Sequence, residues 1–379
     1  MEVYLDNSAT TKPYDEVVDV LAYTMKEVYG NPSSAHRLGV IAERKLNESR
    51  ETIAKIINSS KEEIIFTSGG SESNNLAIKG LVGPGKHIIT SAIEHSSVLN
   101  TLKELETEGV KITYLSTDSK GKVNLEELKN SINKDTVLVT IMHINNEVGV
   151  IQDLKSIGSI IKENSSRAKF HVDAVQSFGK LNIDVKECKI DMLSASGHKI
   201  HGPRGIGFLY IKKGLNPKPI IEGGGQERGF RAGTENVASS AALALASKIM
   251  KDNMDENYSR VEDIKAYFIE GLKNISDIRI NSPLGEDFTP YILNISFIGV
   301  RGEVLLHALE DKGIFVSTGS ACSSKNVKHS RILGALSIPS KYLEGAIRFS
   351  FSEFTTREEI DYTLGILSKS LEFLRRVKI

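Results

Sequence analysis

The sequence Ile64-Ile65-Phe66-Thr67-Ser68-Gly69-Gly70-Ser71 contains the pattern from which the fold class follows. A short run rich in β-branched residues leads into a Gly/Ser turn, and a helical stretch comes next. From residue 60 onward the chain repeats this order of strand, turn and helix. Repeated units of this kind predict an α/β fold with a mostly parallel sheet that helices cover on both faces.

Six further strand-like runs and several amphipathic segments continue the pattern. The strand-like runs are His87–Thr90, Lys111–Leu115, Thr136–Met142, Phe170–Val172, Ile190–Leu193 and Ile206–Ile211. The segment Ser97–Glu108 is predicted to be helical because its apolar residues recur on one face. Leu125–Ile132 is predicted to be a helix as well, with Asn124 as its cap and Glu127 in the position of a capping box.

A change of pattern indicates a second, smaller domain. Residues 214–236 hold six glycines and two prolines, which predicts a long loop. Two long helical segments follow, Val237–Met250 and Tyr258–Ile275. The remaining chain has an α+β pattern with strands Tyr291–Phe297, Ile314–Thr318 and Ala346–Phe351 and helices Glu303–Asp311 and Arg357–Arg376. A domain boundary is therefore predicted near residue 255.

The composition argues against several classes of protein. The 379 residues carry 48 Lys and Arg against 48 Asp and Glu, so no large net field attracts nucleic acid or anionic lipid. Two cysteines are too few for a disulfide framework or a cysteine-built metal site, and no metal site is expected. The sequence opens without a basic and apolar leader, and no apolar run reaches the roughly 18 residues of a membrane span. We therefore expect a cytoplasmic protein without direct nucleic-acid or membrane contact.

Polar residues follow five of the predicted strands at the points where the strands end. The five segments are Thr67–Asn75, Ile93–His95, Asn145–Glu147, Asp173–Gln176 and Ser194–Lys199. The carboxyl ends of parallel strands lie along one edge of a sheet, which is where ligands bind in open α/β folds. The sequence therefore predicts one pocket built from five separate pieces of chain.

Each segment suits one part of a flat, phosphorylated ligand with a cationic ring nitrogen. Gly69-Gly70-Ser71 at a helix start offers N–H groups to an anion. Asp173 suits the ring nitrogen, Gln176 a ring oxygen, and His95 the ring face or acid–base chemistry. Lys199 stands among histidines, and neighbouring cationizable groups favour the neutral amine that Schiff-base chemistry needs. Taken singly, these residues are more often a helix start, a turn aspartate, a solvated glutamine, a structural histidine and a surface lysine.

Nine motifs occur along the chain in a recognisable order. They are Tyr4–Thr11, Asn31–His36, Ser68–Asn75, Glu94-His95, Asn145–Glu147, His171–Gln176, Ser196–Lys199, Arg231–Thr234 and Gly319–Cys322. This order closely resembles the cysteine desulfurases, which are pyridoxal-phosphate enzymes of the class V aminotransferase group. The match extends from residue 4 to about residue 361. It implies a homodimer of fold type I, with a large pyridoxal-phosphate-binding domain at residues 14–255 and a small domain at residues 1–13 and 256–379.

The resemblance assigns roles around the ring of the cofactor, pyridoxal 5'-phosphate. It implies that Lys199 binds the cofactor covalently and that Asp173 pairs with the pyridine nitrogen. Gln176 corresponds to the residue that bonds the phenolic oxygen of the ring. His95 would stack on the ring beside Asn146, and it would also take the proton of the substrate thiol.

Other positions match the phosphate and substrate sites of the family. The phosphate-binding positions are Gly70, Ser71, Ser196 and His198, together with Thr234 from the other subunit. Arg348 corresponds to the arginine that binds the substrate carboxylate, a task that suits the bidentate geometry of a guanidinium group. The remaining substrate-pocket positions are Asn7, Ala9, Thr10, His36 and Arg231.

Cys322 determines which reaction the resemblance implies. It lies in a small, polar segment, and the nearby Lys325, Lys328 and His329 favour the thiolate, which is the nucleophilic form. The thiolate would attack the sulfur of L-cysteine, leaving a persulfide on Cys322 and releasing L-alanine. Cys188 has no such surroundings in the sequence and is interpreted as structural.

Departures from the family pattern leave the sulfur acceptor open. Gly70-Ser71 stands where the family has Ala-Thr, and Glu353 stands where many relatives have glycine. The segment after Cys322 lacks the Glu-Pro-Ser run of the iron–sulfur branch. The expected acceptor is either an iron–sulfur scaffold protein or a tRNA-thiolation enzyme. Two alternatives stay open: a selenocysteine lyase or other class V aminotransferase, and a sulfur-relay interaction protein with weak catalysis.

Overall fold

The computed structural model describes residues 1–318 and 330–376 of the chain. Its strands are β1 (Val3–Tyr4), β2 (Ile64–Thr67), β3 (His87–Ser91), β4 (Lys111–Leu115), β5 (Thr136–Met142), β6 (Lys169–Asp173), β7 (Met192–Ser196), β8 (Gly207–Ile211), β9 (Ile278–Ile280), β10 (Ile292–Phe297), β11 (Ile314–Phe315) and β12 (Ala346–Ser350). Its helices are α1 (Asp15–Glu27), α2 (Arg37–Ile56), α3 (Gly70–Lys79), α4 (Ser96–Thr107), α5 (Leu125–Ser131), α6 (Leu154–Asn164), α7 (Val237–Asp252), α8 (Met254–Gly271), α9 (Gly302–Glu310), α10 (Arg331–Ala335) and α11 (Arg357–Arg376).

The central sheet has seven strands in the order β2-β8-β7-β6-β5-β3-β4. All of them run parallel except β8, which is antiparallel to both of its neighbours. The link between β7 and β8 contains ten residues, which is shorter than the crossover that a parallel pair requires. The predicted α/β fold with a mostly parallel sheet is confirmed.

The strands of the central sheet are apolar because both faces of the sheet are covered. Each residue of β2, β3, β7 and β8 is buried, whereas the edge strand β4 leaves Lys111 and Tyr114 exposed. Helix α7 packs on α1 and α2 on one side of the sheet, and its many Ala and Ser residues allow close approach. The sequence pattern does not predict α1 and α2.

A second apolar cluster lies around the antiparallel sheet β12-β10-β9 and the short parallel pair of β1 and β11. It combines Val3 and Leu5 with buried residues between Val261 and Leu374, from helices α8, α9 and α11 among other elements. The main cluster of the large sheet instead draws on residues from Val17 to Met250. These two clusters support the division into residues 14–255 and residues 1–13 with 256–379, which stays a proposal.

The predicted capping box of α5 is only half formed. The side chain of Asn124 accepts a hydrogen bond from the N–H of Glu127 at 3.0 Å, as expected for an N-cap. The carboxylate of Glu127 does not reach back to Asn124 but accepts from the N–H of Ser116 at 2.8 Å. The competing donor lies eleven residues away, so the local pattern alone does not reveal it.

Several element boundaries differ from the sequence prediction: β11 ends at Phe315 instead of Thr318, and α8 begins at Met254 instead of Tyr258. Strand β7 begins at Met192 and extends to Ser196, so Ser194 and Ser196 lie in the strand rather than after it. The long loop at residues 214–236 is irregular apart from a short 3-10 turn at Gln226–Gly229. In the described part of the chain, no helix combines the length and the apolar character that crossing a membrane requires.

Candidate active site

The carboxyl ends of β2, β5, β6 and β7 border one pocket of about 570 Å³, to which the start of α4 after β3 also contributes. Twelve residues singled out in the sequence line it: Ala9, Thr10, Gly70, Ser71, His95, Asn146, Asp173, Gln176, Ser196, His198, Lys199 and Arg348. The structure therefore brings together residues that lie as far apart in sequence as Ala9 and Arg348.

Lys199 lies on a one-turn 3-10 helix, Gly197–Lys199, directly after β7. Its amine donates to the carbonyl oxygens of Ser8 at 2.5 Å and Ala9 at 2.8 Å, so the side chain extends towards the N-terminal segment that forms one pocket wall. The N–H of Thr11 donates to the carbonyl of His198 at 2.9 Å. The turn and the N-terminal segment thus hold each other in place.

Asp173 ends β6 and is 4% exposed. Its Oδ2 accepts from Nδ2 of Asn74 at 2.8 Å, and its Oδ1 accepts from the N–H of Val175 at 3.0 Å. Two donors therefore fix the orientation of the carboxylate at the pocket. Asn74 also lines the pocket; it lies in the predicted segment Thr67–Asn75 but was assigned no role of its own from the sequence. The sequence could have indicated Asn74, because it lies four residues after Gly70 in α3 and residues at this spacing share a helix face.

His95 is the N-cap of α4, and this position determines where its ring carries hydrogen. The Nδ1 atom accepts from the N–H of Ser97 at 3.1 Å. Burial lowers the pKa of His95 below its usual value and outweighs the opposing effect of Asp173. The neutral ring therefore has its hydrogen on Nε2 and is a donor there.

The start of α3 forms the anion-binding end of the pocket. Gly69 has φ +150°, in a region that favours glycine, and the following Gly70 begins the helix. A Cβ on Gly70 would lie 2.5 Å from a methyl group of Val175, so the alanine that the family has here would require this side chain to shift. The free N–H groups of a helix start, together with Ser71, suit a phosphate group.

Two further side chains, His198 and Arg204, line the pocket. Burial, with a smaller effect of Lys199, lowers the pKa of His198 to about 4, so its ring is neutral at neutral pH. Arg204 lines the pocket as well and was not predicted from sequence. It lies five residues after Lys199, in the segment that precedes β8.

Arg348 lies on β12 and reaches the pocket from the smaller cluster. Its Nη2 donates to Oδ1 of Asp6 at 2.8 Å, and its Nη1 donates to the carbonyl of Asn146 at 2.9 Å. The Nε atom is buried without a hydrogen-bond partner among the described residues. The guanidinium is thus held by two acceptors, which use two of its five N–H donors.

The pocket residues fit the cofactor that the resemblance implies. A carboxylate, a lysine amine and a helix start match its ring nitrogen, its aldehyde and its phosphate, respectively. Among the described residues, the buried Oδ1 atoms of Asn74 and Asn146 and the buried Oε1 of Gln176 have no hydrogen-bond partner. Gln176 also donates from Nε2 to the carbonyl of Ser8 at 2.9 Å, so one of its two amide hydrogens is already used. Unsatisfied polar atoms at a buried surface favour a polar ligand.

Several predicted residues are not among the described residues that line this pocket. The amide of Asn7 donates to the carbonyl of Ser350 at 2.9 Å, and His36 caps α2 through an acceptor bond from Gly39. Arg231 pairs with Glu72, a pocket residue, at 3.0 Å. Thr234 is exposed, and Cys322 lies outside the described residues. The predicted roles of these five residues stay predictions.

Cys188 is a buried, free thiol whose pKa is raised by burial. A protonated and buried thiol is unreactive, which agrees with its interpretation as structural. Among residues 1–318 and 330–376, no group of three or more His, Cys, Asp or Glu side chains is arranged to hold a metal ion.

Comparison with known proteins gives the chain its family. Residues 3–363 match the model of the aminotransferase class-V family. A cysteine desulfurase IscS of Dictyoglomus turgidum is 44% identical over 381 residues, covering 99% of this chain and 96% of the relative. A solved NifS-like protein superposes with a TM-score of 0.93 at 39% identity, covering 98% of this chain and all of the other. The structure of SspA in complex with cysteine superposes with a TM-score of 0.82 at 33% identity. The match covers 93% of this chain and all of the other. The chain belongs to the class V aminotransferase family.

Proposed function

We propose that this protein is a pyridoxal-phosphate-dependent cysteine desulfurase that releases L-alanine and retains the sulfur as a persulfide on Cys322. The observation that carries the proposal is that Lys199, Asp173 and Arg348 line the same pocket. The similarity to a cysteine desulfurase of Dictyoglomus turgidum and to a structure that contains cysteine supports the same substrate.

Three groups of residues would hold the cofactor. The start of α3 with Ser71, Ser196 and His198 would bind the phosphate, Asp173 would keep a proton on the ring nitrogen, and Lys199 would supply the amine for the covalent bond. When bound, pyridoxal phosphate supplies a ring that withdraws electrons from the Cα of the substrate. The Lys199 amine then holds the proton that leaves this Cα.

Arg348 and His95 act on the substrate in this proposal. The guanidinium of Arg348 binds the carboxylate while Asp6 fixes its orientation. His95 contributes a hydrogen-bond donor at Nε2, since its Nδ1 accepts from the backbone of Ser97. To take up the thiol proton on Nε2, the ring must be in the other neutral tautomer, in which Nδ1 carries the hydrogen and donates to Oγ of Ser97 at 2.8 Å.

The Cys322 thiolate completes the reaction. Its sulfur attacks the sulfur of the substrate, a sulfur–sulfur bond forms, and the Cβ–S bond breaks. The electron pair of the broken bond stays with carbon, which takes up a proton and leaves as alanine. Cys322 is thereby oxidised to a persulfide, and the carbon is reduced by the same two electrons.

The assembly and the sulfur acceptor are also part of the proposal. The exposed position of Thr234 supports a homodimer in which this residue serves the pocket of the partner. We place the protein in the cytoplasm and expect it to pass sulfur to an iron–sulfur scaffold protein or to a tRNA-thiolation enzyme. Capture of the protein that removes labelled sulfur from Cys322 would identify the acceptor.

The function is tested by supplying the pyridoxal-phosphate-loaded protein with L-cysteine and measuring alanine and protein-bound persulfide. Cys322→Ala should abolish both, and Cys188→Ala is the matched control that should leave both unchanged. Alanine formation from L-cysteine by the Cys322→Ala variant would contradict the assigned nucleophile. Alanine formed much faster from selenocysteine, and equally by this variant, would instead indicate a selenocysteine lyase.

A further inference from the structure

We propose that Glu353 is a positioning residue, whose carboxylate fixes the turn that carries Lys199 relative to the strand that carries Arg348. It acts through two side chains, His201 and Tyr14. The roles of Lys199 and Arg348 rest on the proposed function. The contacts of Glu353 do not, because they lie outside the pocket.

Glu353 lies three residues after the end of β12, and its side chain is only 10% exposed. The hydroxyl of Tyr14 donates to Oε1 of its carboxylate. The Nε2 atom of His201 lies 3.4 Å from Oε2. The strand before Glu353 packs in the cluster around β10, whereas Tyr14 packs against the cluster of the large sheet. The carboxylate therefore joins the two clusters of the molecule.

His201 is held in an unusual backbone conformation two residues after Lys199. Its φ is +59°, in the left-handed region that non-glycine residues rarely adopt. Its N–H donates to Oγ1 of Thr11 at 2.7 Å, and its Nδ1 donates to the carbonyl of Lys12 at 2.7 Å. Its ring centre lies 4.6 Å from that of Tyr14. Such a conformation persists only where the surroundings fix it, and Glu353 is the charged member of those surroundings.

The charges around Glu353 keep its carboxylate ionised. Burial raises the pKa of Glu353, but the nearby ring of His201 and the hydrogen bond from Tyr14 outweigh burial and bring the pKa to about 2. The buried Lys180 also faces this carboxylate, and burial lowers the pKa of its amine to about 8. The neighbouring hydroxyls of Tyr14 and Tyr291 have raised pKa values, first from burial and then from Glu353. Glu353 is thus the anion that these four groups face.

The replacement Glu353→Gln separates the charge from the shape of the side chain. Glutamine still accepts a hydrogen bond from Tyr14, but it presents no charge to His201 or Lys180. We expect the His201 backbone to relax from its left-handed conformation, which displaces the turn of Lys199. The amine at residue 199 would then no longer be pre-positioned for the cofactor aldehyde.

The test measures binding of pyridoxal phosphate to the cofactor-free protein by absorbance, alongside thermal unfolding of that same protein. Glu353→Gln should weaken binding about tenfold, which corresponds to about 1.4 kcal/mol. In a His201→Asn background, which tolerates the left-handed conformation, the same change should have little further effect. If the His201→Asn variant does not fold, the same double-mutant comparison is made with Glu353→Gln in a Tyr14→Phe background. Glu358→Gln, at an exposed position of α11, is the matched control and should bind like the wild type.

The outcomes separate this inference from the proposed function. Wild-type protein that fails to bind pyridoxal phosphate would contradict the proposed function and this inference together. Equal binding by wild type and Glu353→Gln would contradict the inference alone. A lower unfolding temperature without weaker binding, or additive effects of Glu353→Gln and His201→Asn, would show that Glu353 only stabilises the fold.

Discussion

The guanidinium of Arg348 has two acceptors within the chain, and a substrate carboxylate must bind alongside them. Asp6 and the carbonyl of Asn146 each accept from a different terminal nitrogen. A planar group with five donors can satisfy both and still bind a carboxylate, whereas an ammonium group has three donors and no fixed plane. Arg348→Lys should therefore raise the KM for L-cysteine about tenfold or more, with a smaller change in kcat. Steady-state kinetics of alanine release measures both constants.

The control for Arg348→Lys is Arg376→Lys, because Arg376 is exposed on α11 and pairs there with Glu372. This variant should have the KM of the wild type. An unchanged KM in Arg348→Lys would show that another residue binds the carboxylate. A loss confined to kcat would point to a role in the chemical step instead.

At the residue scale, residue types were predictable from the sequence and their pairings were not. Lys199, Asp173 and Arg348 stand out because they follow or occupy strand-like runs in a recognisable order. The bond between Arg348 and Asp6 joins residues 342 positions apart, and no local pattern indicates it. The tautomer of His95 likewise depends on the N-cap geometry of α4, which only the structure gives.

At the element scale, two helical glycines give opposite expectations for the same substitution. A Cβ on Gly158 in α6 would lie 2.1 Å from the carbonyl oxygen of Cys188, which belongs to the backbone and cannot rotate away. Gly158→Ala should therefore destabilise the protein by roughly 1–3 kcal/mol. Denaturant unfolding of the purified variant measures the change.

Gly365 in α11 has open space around the position of a Cβ. Gly365→Ala should stabilise the protein by about 0.5–1 kcal/mol, since alanine loses less conformational freedom than glycine in a helix. Both variants replace glycine by alanine in a helix. If their free energies of unfolding change in opposite directions, the difference reports the room around the added Cβ. A stabilising Gly158→Ala would show that α6 can shift away from the Cys188 backbone.

The elements themselves were largely predictable because burial determines their composition. Strands buried on both faces are continuous apolar runs, and β5 and β6 are recognisable for this reason. The direction of β8 was not predictable from its residues. An antiparallel strand that is covered on both faces is as apolar as the parallel strands of the same sheet. Helices α1 and α2 precede the repeating pattern, so the alternation does not indicate them.

At the scale of the whole molecule, buried titratable groups determine how stability depends on pH. Burial lowers the pKa of His143 to about 4 and that of His171 to about 3. The unfolded chain protonates these residues near pH 6.5, whereas the folded chain keeps them neutral. Their contribution to stability is complete above pH 6.5 and is lost as the pH falls towards 4. These two histidines by themselves therefore lower the unfolding temperature as the pH falls from 6.5 to 5.

Two buried carboxyls act in the opposite direction. Burial raises the pKa of Glu94 to about 8 and that of Glu147 to about 7, against smaller lowering effects of hydrogen bonds and arginines. The folded chain keeps them protonated at a pH where the unfolded chain has released the proton. Their contribution to stability is complete below about pH 4.5 and is lost as the pH rises towards 7 or 8. Between pH 4.5 and pH 6.5 the histidines and the carboxyls oppose each other, so the unfolding temperature of the wild type should change little in this interval and fall on either side of it, which thermal melts measure.

Glu147→Gln tests how much the ionisation of one buried carboxyl lowers the stability of the protein at high pH. The Glu147 carboxyl accepts from Ser330 at 2.5 Å and faces Arg348 and Arg331, and a glutamine reproduces the shape of its neutral form. The variant should match the wild type near pH 5 and exceed its stability at pH 8 by on the order of 1–3 kcal/mol, because it never ionises. Thermal melts at both pH values measure this, with the exposed Glu163→Gln as a control that should follow the wild type. A variant less stable than the wild type at pH 8 would mean that the arginines hold Glu147 as an anion. The contact between Glu147 and the start of α10 would then include an ion pair instead of a neutral hydrogen bond alone.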